Sequence, residues 1–195
     1  MTKGKLFVIS GPSGTGKGTI CKEILDADKN IRLSVSMTTR SPRQGEEHGV
    51  HYFFATHDEF RELIAGDGFM EYAEVFGNYY GTPKKQVKEW LDQGTSVILE
   101  IDVQGALQVK KNFPEGILIF ILPPSMEELR NRIIGRGSET EESMARRLGA
   151  ALEEINNIGQ YDYRVVNDDL QEAVSQVQAV ISAEQCRVSN EDTAR

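Results

Sequence analysis

Between Gly11 and Thr19 the chain reads GPSGTGKGT, which is glycine, four residues, glycine, lysine. That spacing suits phosphate. Glycines permit positive φ and leave no Cβ in the way, so backbone N–H groups can turn inward around anionic oxygens. A helix starting at the end of the loop adds the partial positive charge of its N-terminus. Lys17 would reach the β- and γ-phosphates of a nucleoside triphosphate. Gly11, Pro12, Ser13, Gly14, Thr15, Gly16, Lys17, Gly18 and Thr19 are the residues this reading assigns to the triphosphate. The competing reading is a glycine-rich turn with no ligand. Position 18 departs from the usual pattern, in which the lysine is followed by serine or threonine. The nearest hydroxyl is Thr19, expected on the Mg²⁺ side of the phosphates through a metal-bound water, because Mg²⁺ keeps several waters.

Three other groups carry chemistry. The apolar run Val97-Ile98-Leu99 ends in Glu100-Ile101-Asp102. Two carboxylates two residues apart share one face of a strand, so both can serve one site, and Asp102 can orient the waters around Mg²⁺. The alternative is an acidic strand end that caps the next helix. A second group is the arginine set Arg130, Arg132, Arg136, Arg146 and Arg147. Glycines on both sides of Arg136 suggest a hinged, charged segment that can close over transferring phosphates and exclude water. Arg136 and Arg147, with Arg132, are the candidates. Arg130 and Arg146 read as a solvated helix face paired with nearby glutamates. The third group is SVSMTTRSPRQGEEHGVHYFF from Ser34, where Arg40 and Arg43 flank a proline and Tyr52 follows. Each arginine can fork to a phosphate. A phosphate site apart from the glycine loop implies a second phosphorylated substrate; a basic surface loop is the alternative.

These residues must be held by an alternating framework. Lys5–Ser10 reads as a strand, Gly16–Asp28 as a helix and Ser34–Ser36 as short and β-prone. From Ser41 to Gly81 the texture changes to glycines, aromatics and histidines, the mark of an inserted subdomain of short strands, with one helix from His57 to Ile64. Thr82-Pro83 looks like an N-cap followed by proline at the first helical position. Val97–Asp102, Ile117–Leu122 and Tyr163–Val166 are strands. Ser125-Met126-Glu127-Glu128 is a capping-box pattern, Ser138–Glu141 can cap the next helix, and Leu170, Val174, Val177 and Ile181 stripe the last. Strands alternating with helices mean an α/β fold with a mostly parallel sheet, whose ligands sit at the carboxyl ends of the strands.

The bulk numbers exclude several classes. With 195 residues, 39% apolar and 27% charged, the chain fits one soluble core with a small insertion. The longest apolar run, Ile117–Leu122, is far too short to span a membrane. The first residues lack a signal-peptide pattern. Cys21 and Cys186 have no metal spacing, and neither do His48, His51 and His57. The expected location is the cytoplasm. A net charge of −8 argues against nucleic acid or an acidic membrane as partner. The oligomeric state, a homo-oligomer included, is left open.

GPSGTGK, the Ser34–Phe54 stretch, EYAEVFGNYYGTP, LEIDVQGA, GRGSETEES and YRVVNDD, in that order, resemble guanylate kinases of the bacterial type over about Lys5 to Ile181. The resemblance implies a P-loop NTPase-like parallel sheet flanked by helices (1–33 and 83–195), a small β-rich GMP-binding subdomain (34–82), a helical lid (about 125–147) and a frayed tail (185–195). It implies the reaction ATP + GMP ⇌ ADP + GDP with Mg²⁺. ATP would meet the loop Gly11–Thr19, with adenine between Arg132 or Arg136 and Asn167. The GMP phosphate would meet Arg40, Arg43, Tyr52 and Tyr80. Guanine would meet Ser36, Glu71 and Thr82, with Glu100 and Asp102 on the same side. Lys17, Arg136 and Arg147 would act on the phosphoryl group, and Thr19 and Asp102 would reach Mg²⁺ through water. Two readings compete with it. One is a different P-loop enzyme: another nucleoside-monophosphate kinase would need a different base pocket, and a small GTPase would carry an N-K-x-D motif, where Asn167-Asp168-Asp169 lacks the lysine. A non-catalytic guanylate-kinase-like binding module would typically have lost the lysine and glycines that this loop retains.

Overall fold

The computed structural model describes residues 3–75, 77–134 and 141–188. Among the described residues nine strands and seven α-helices follow in the order β1 (Leu6–Ser10), α1 (Lys17–Ala27), β2 (Ile31–Leu33), β3 (Met37–Thr38), β4 (Phe53–Phe54), α2 (His57–Ala65), β5 (Phe69–Val75), β6 (Asn78–Pro83), α3 (Lys84–Asp92), β7 (Ser96–Glu100), α4 (Val103–Asn112), β8 (Ile117–Leu122), α5 (Met126–Ile134), α6 (Glu141–Ile155), β9 (Tyr163–Val166) and α7 (Leu170–Gln185). A single 3₁₀ turn, Ile158–Gln160, precedes β9.

The larger sheet has the order β2-β7-β1-β8-β9, and all its pairings are parallel. Its central strands are continuous apolar runs because helices cover both faces. Alternation along β1 divides the core in two. Phe7 and Ile9 pack with Ile20, Cys21 and Ile24 of α1 and with Val174, Val177 and Ile181 of α7. Leu6 and Val8 pack with Val87 of α3 and with Ala106 and Val109 of α4. The smaller sheet, β4-β3-β6-β5, is mixed: β3 runs parallel to β4 and antiparallel to β6, and β5 and β6 are antiparallel. Phe60 of α2 stacks between Phe69 and Tyr79, with centroids at 4.2 and 5.3 Å, and gives this sheet its own apolar backing.

Several sequence expectations shift. The second strand is Ile31–Leu33 rather than Ser34–Ser36. Ile31 is buried at the sheet edge and pairs with Ser96, while the serines form the link to β3. Thr82 is not a helix cap. It lies within β6 as a buried residue, and Pro83, the last residue of that strand, occupies the N-cap of α3. Strand β7 stops at Glu100, so Asp102 is not a strand residue. It caps α4, its carboxylate accepting the Gly105 N–H at 2.7 Å. Ser125 does accept the Glu128 N–H at 3.0 Å, but the Glu128 side chain turns to Arg132. The capping box forms instead at Thr56 and Glu59 of α2. Helix α7 runs through Gln185, where the tail was expected to begin. Arg136 and the Ser138–Thr140 part of the expected cap lie outside the described residues. No helix among the described residues is long and apolar enough to cross a membrane.

Candidate active site

The carboxyl end of β1 runs directly into the glycine loop. Gly11, Gly14 and Gly16 have φ of 134°, 92° and 89°, a region that side chains disfavour. At two of them space is also closed: a Cβ on Gly11 would stand 2.3 Å from the Ile121 carbonyl oxygen, and one on Gly16 would stand 2.4 Å from Asn167 Nδ2. Gly16 caps α1 without a side-chain hydrogen bond, so the first N–H groups of that helix keep their capacity for an anion. Behind the loop, buried Thr15 donates its hydroxyl to the Pro12 carbonyl at 2.9 Å. The Asn167 amide donates to the Thr15 carbonyl at 2.7 Å. Asn167 is thus a brace of the loop, arriving from the end of β9.

Lys17 donates to the carbonyls of Gly11 (2.6 Å) and Pro12 (3.0 Å). Burial pushes its pKa below the ordinary lysine value, opposed by the charges of Glu100 and Glu154. The same burial pushes Glu100 and Glu154 up, with Lys17 opposing. Gly11, Ser13, Gly14, Gly16, Lys17, Gly18, Thr19, Glu100, Asp102 and Glu154 line one cavity of about 480 Å³. Gly18 faces Glu100: a Cβ there would lie 3.4 Å and 3.5 Å from the two carboxylate oxygens. A larger cavity, about 850 Å³, opens at the opposite end of the strands between Lys3, Phe113 and Gln185. No residue singled out for chemistry lines it.

Helix α6 covers the loop. Arg147 donates to the Ser13 hydroxyl at 2.9 Å. Arg132 of α5 pairs with Glu128 at 2.9 Å and donates to the Asn167 carbonyl at 3.0 Å. Arg130 lies near the Met144 sulfur at 3.4 Å.

The smaller sheet carries the second group. β5 and β6 pair Phe69 with Pro83 and Tyr72 with Gly81, so Met70 and Glu71 together oppose Thr82. This bulge turns both Met70 and Glu71 into the interior. Gln108 of α4 supports it, accepting the Tyr72 N–H at 3.3 Å and donating to the Tyr72 carbonyl at 3.1 Å. The Thr82 hydroxyl donates to Glu71 at 2.6 Å. Burial raises the Glu71 carboxyl to about 7; the Thr82 bond opposes that shift and Asp102 adds to it. A Cβ on Gly105 would stand 2.9 Å from Glu71 Oε2 and 3.2 Å from Asp102 Oδ1. Glu71 and Asp102 therefore meet over one glycine, and Asp102 also lines the loop cavity.

Arg40, Tyr52 and Tyr80 form a cluster: the Arg40 guanidinium lies 5.5 Å from the Tyr52 ring centroid, and the Tyr52 and Tyr80 rings meet edge to face at 6.1 Å. The Arg43 side chain is exposed beside them. Ser36 is half-buried at the start of this sheet, its carbonyl accepting the Phe53 N–H at 2.9 Å.

Comparison with known proteins bears on what this arrangement is. The family model described as guanylate kinase matches residues 3–184. The chain belongs to the guanylate kinase family. A guanylate kinase of Clostridium tetani is 61% identical over 188 residues, covering 96% of this chain and 90% of that one. One from Clostridium acetobutylicum is 60% identical, covering 95% and 88%. The crystal structure of guanylate kinase from Anaplasma phagocytophilum superposes with a TM-score of 0.78 at 37% identity, covering 96% of this chain and 89% of that one.

Within this guanylate kinase framework the site residues fall into two groups. Gly11–Thr19, Glu100, Asp102 and Arg147 gather at the carboxyl ends of β1 and β7, with Arg132 and Asn167 behind the loop. Arg40, Arg43, Tyr52, Tyr80, Glu71 and Thr82 gather on the smaller sheet. Glu100, expected on the GMP side, stands in the loop cavity beside Gly18. Thr82, expected to meet guanine, gives its hydroxyl hydrogen to Glu71. Sequence reasoning missed Glu154, Gln108 and Glu46. Glu154 lies two helical turns after Arg147, which puts both on one face of α6. Glu46 lies within hydrogen-bond distance of both Arg40 and Arg43. Two of the three histidines hold turns: His51 Nδ1 accepts the Glu47 N–H and His48 Nδ1 accepts the Phe54 N–H; His57 begins α2, its Nε2 lying 3.1 Å from the Gly77 carbonyl.

Proposed function

We propose that this chain transfers the γ-phosphoryl group of ATP to GMP, and to dGMP, giving ADP and the guanosine diphosphate, and that it does so in the cytoplasm with Mg²⁺. One observation carries the reading. Asp102 is shared between the cavity around Lys17 and the pocket around Glu71, so a triphosphate cradle and a purine pocket open onto the same wall.

The base pocket suits guanine. Guanine presents two adjacent donors, N1–H and N2–H₂, beside the acceptor O6. A carboxylate at Glu71 accepts from both, whereas adenine offers a lone pair at N1. Buried polar groups left unpaired by the wrong base supply the discrimination. Thr82 orients Glu71, and Ser36 supplies the hydroxyl toward O6. Arg40, Arg43, Tyr52 and Tyr80 take the monophosphate.

The chemistry needs no strong base. A phosphate monoester has its second pKa near 6, so the acceptor arrives largely as a dianion. One of its oxygens attacks the γ-phosphorus, the bond to the β,γ-bridging oxygen breaks, and ADP leaves with that electron pair. The barrier lies in bringing two anions together. Lys17 and the loop N–H groups hold the triphosphate, and Arg147 brings positive charge over the loop. Arg136 is assigned the same role. The donors facing the cavity, Thr19 hydroxyl with Glu100 and Asp102 carboxylates, are hard oxygens suited to Mg²⁺. Among the described residues no three His, Cys, Asp or Glu side chains are grouped to hold a metal alone, which fits an ion that keeps waters and phosphate oxygens. Bound Mg²⁺ would neutralise charge on the β- and γ-phosphates. Arg132 and Asn167 flank the adenine side.

The test is the acceptor profile in an ADP-release assay with ATP and Mg²⁺. GMP and dGMP should support turnover, and AMP, CMP and UMP should not. Turnover independent of GMP, or equal with AMP, overturns the reading.

A further inference from the structure

The loop that carries Arg40 and Arg43 has a third charged member. Glu46 accepts two hydrogen bonds from Arg40, Nη1 to Oε2 at 3.0 Å and Nη2 to Oε1 at 2.9 Å. Its Oε2 also accepts the Arg43 backbone N–H at 2.8 Å. A turn closes between them, the Glu46 N–H donating to the Arg43 carbonyl at 3.0 Å. Gly45 provides φ of 85° for that turn, and a Cβ there would meet nothing within 4 Å, so glycine is needed for conformation and not for room. The Arg40 and Glu46 side chains are only 16% and 18% exposed. The Arg40 and Arg43 contacts hold the Glu46 carboxyl down to about 2.

Which edge of the guanidinium Glu46 takes is the informative point. Arginine has five N–H donors in a planar fork. Glu46 occupies the end edge, formed by Nη1 and Nη2. The second Nη1 hydrogen goes to the Ser41 carbonyl at 2.8 Å. What remains is the side edge, Nε–H and the second Nη2–H, two parallel donors that fit two oxygens of one phosphate. The Tyr80 hydroxyl stands close to the same guanidinium, and the Tyr52 ring supports it. A carboxylate on the end edge need not leave when a phosphate takes the side edge.

Resting on the proposed GMP reaction, we infer that Glu46 is a positioning residue for the acceptor phosphate. It stays bonded to Arg40 throughout and presents that arginine's side edge, while its bond to the Arg43 backbone sets where the second arginine starts. The alternative, a latch in which Glu46 competes with the phosphate, predicts the opposite sign.

The experiment compares the whole chain with Glu46→Ala and with Glu46→Gln, which keeps the shape but puts an amide against the guanidinium. The readouts are the GMP dissociation constant, the inhibition constant of guanosine (the same base without phosphate), the KM for ATP, and thermal melting. Loss of hydrogen bonds to a charged group predicts GMP binding about 10- to 100-fold weaker in Glu46→Ala. Glu46→Gln should fall between it and the unaltered chain. Guanosine inhibition and the ATP KM should stay within about two-fold, as for sites that share no partner with the change. Tighter GMP binding, a GMP change below about two-fold, or guanosine weakening in step with GMP would each overturn the inference. Absence of GMP-dependent turnover in the unaltered chain would overturn the proposed function instead, and that assay is read first.

Discussion

Glu71 offers the sharpest quantitative test. The residue is 7% exposed, and burial lifts its carboxyl from the usual 4.5 to about 7. At about 1.36 kcal/mol per pH unit, that difference corresponds to about 3 kcal/mol between its neutral and charged states. The native state therefore holds the Glu71 proton more tightly than the unfolded chain does. The stabilisation is fully present below about pH 4.5 and is lost as pH rises through about 7. Glu71→Gln, which cannot ionise, removes this dependence. Denaturant titrations at pH 5 and pH 8 should show the unaltered chain losing about 2.5 kcal/mol relative to the variant. Ligand binding gives the matching functional signal. Two guanine donors favour the carboxylate, so GMP binding should expel the proton when the pH lies below about 7. The GMP phosphate titrates in both proteins, so the difference between them isolates Glu71. GMP affinity in the unaltered chain, relative to Glu71→Gln, should fall about tenfold per pH unit below pH 7. Calorimetry in buffers of different ionisation enthalpy should register a larger proton release with Glu71 present than with Glu71→Gln. If the two proteins show parallel pH profiles between pH 5.5 and 8, Glu71 does not bind the base as a carboxylate and the base-recognition argument fails.

Other expectations follow from single contacts. Lys17→Ala should cut turnover about 10²- to 10³-fold or more while GMP still binds, since Lys17 lies in the loop cavity and not among the Arg40 contacts; calorimetry with GMP alone checks the second half. Gly18→Ser should fold with stability changed by no more than about 0.5 kcal/mol, because its Cβ finds ordinary contact distances at Glu100 and position 18 has no positive φ. Its added hydroxyl should lower the Mg²⁺ concentration needed for half-maximal rate, and a higher requirement would argue against position 18 facing the metal. Gln108→Leu should cost about 0.5–1.5 kcal/mol of stability by removing its two bonds to the exposed Tyr72 backbone. It should also narrow the GMP preference over AMP by loosening the bulge that aims Glu71, which an acceptor profile would detect.

Much of this was readable from residue order. The glycine loop is legible because its backbone conformation is local: three positive-φ glycines and one lysine lie within seven residues of chain. The central strands are legible because Ile117–Leu122 is apolar at every position, as a strand covered on both faces must be. The end of β7 shows where local reading fails. Glu100-Ile101-Asp102 looks like strand, and both acids do reach one cavity. They do so because Asp102 turns to cap α4, not because the two alternate on a pleat. Thr82 fails for a similar reason: threonine before proline reads as a cap, but pairing with β5 makes it a buried partner of Glu71.

By itself, then, the order of residues determined the phosphate loop, the buried strands, the amphipathic helices and the family. Their signals are carried by neighbours a few positions apart, where backbone geometry and periodicity act. Tertiary structure alone decided the order of the strands, the bulge that turns Glu71 inward and the meeting of Glu71 with Asp102 over Gly105. It also decided the bracing of Thr15 by Asn167 and the docking of Arg147 on Ser13, contacts 152 and 134 residues apart. Such contacts leave no periodic trace, because they are set by how whole elements pack once their apolar faces are buried.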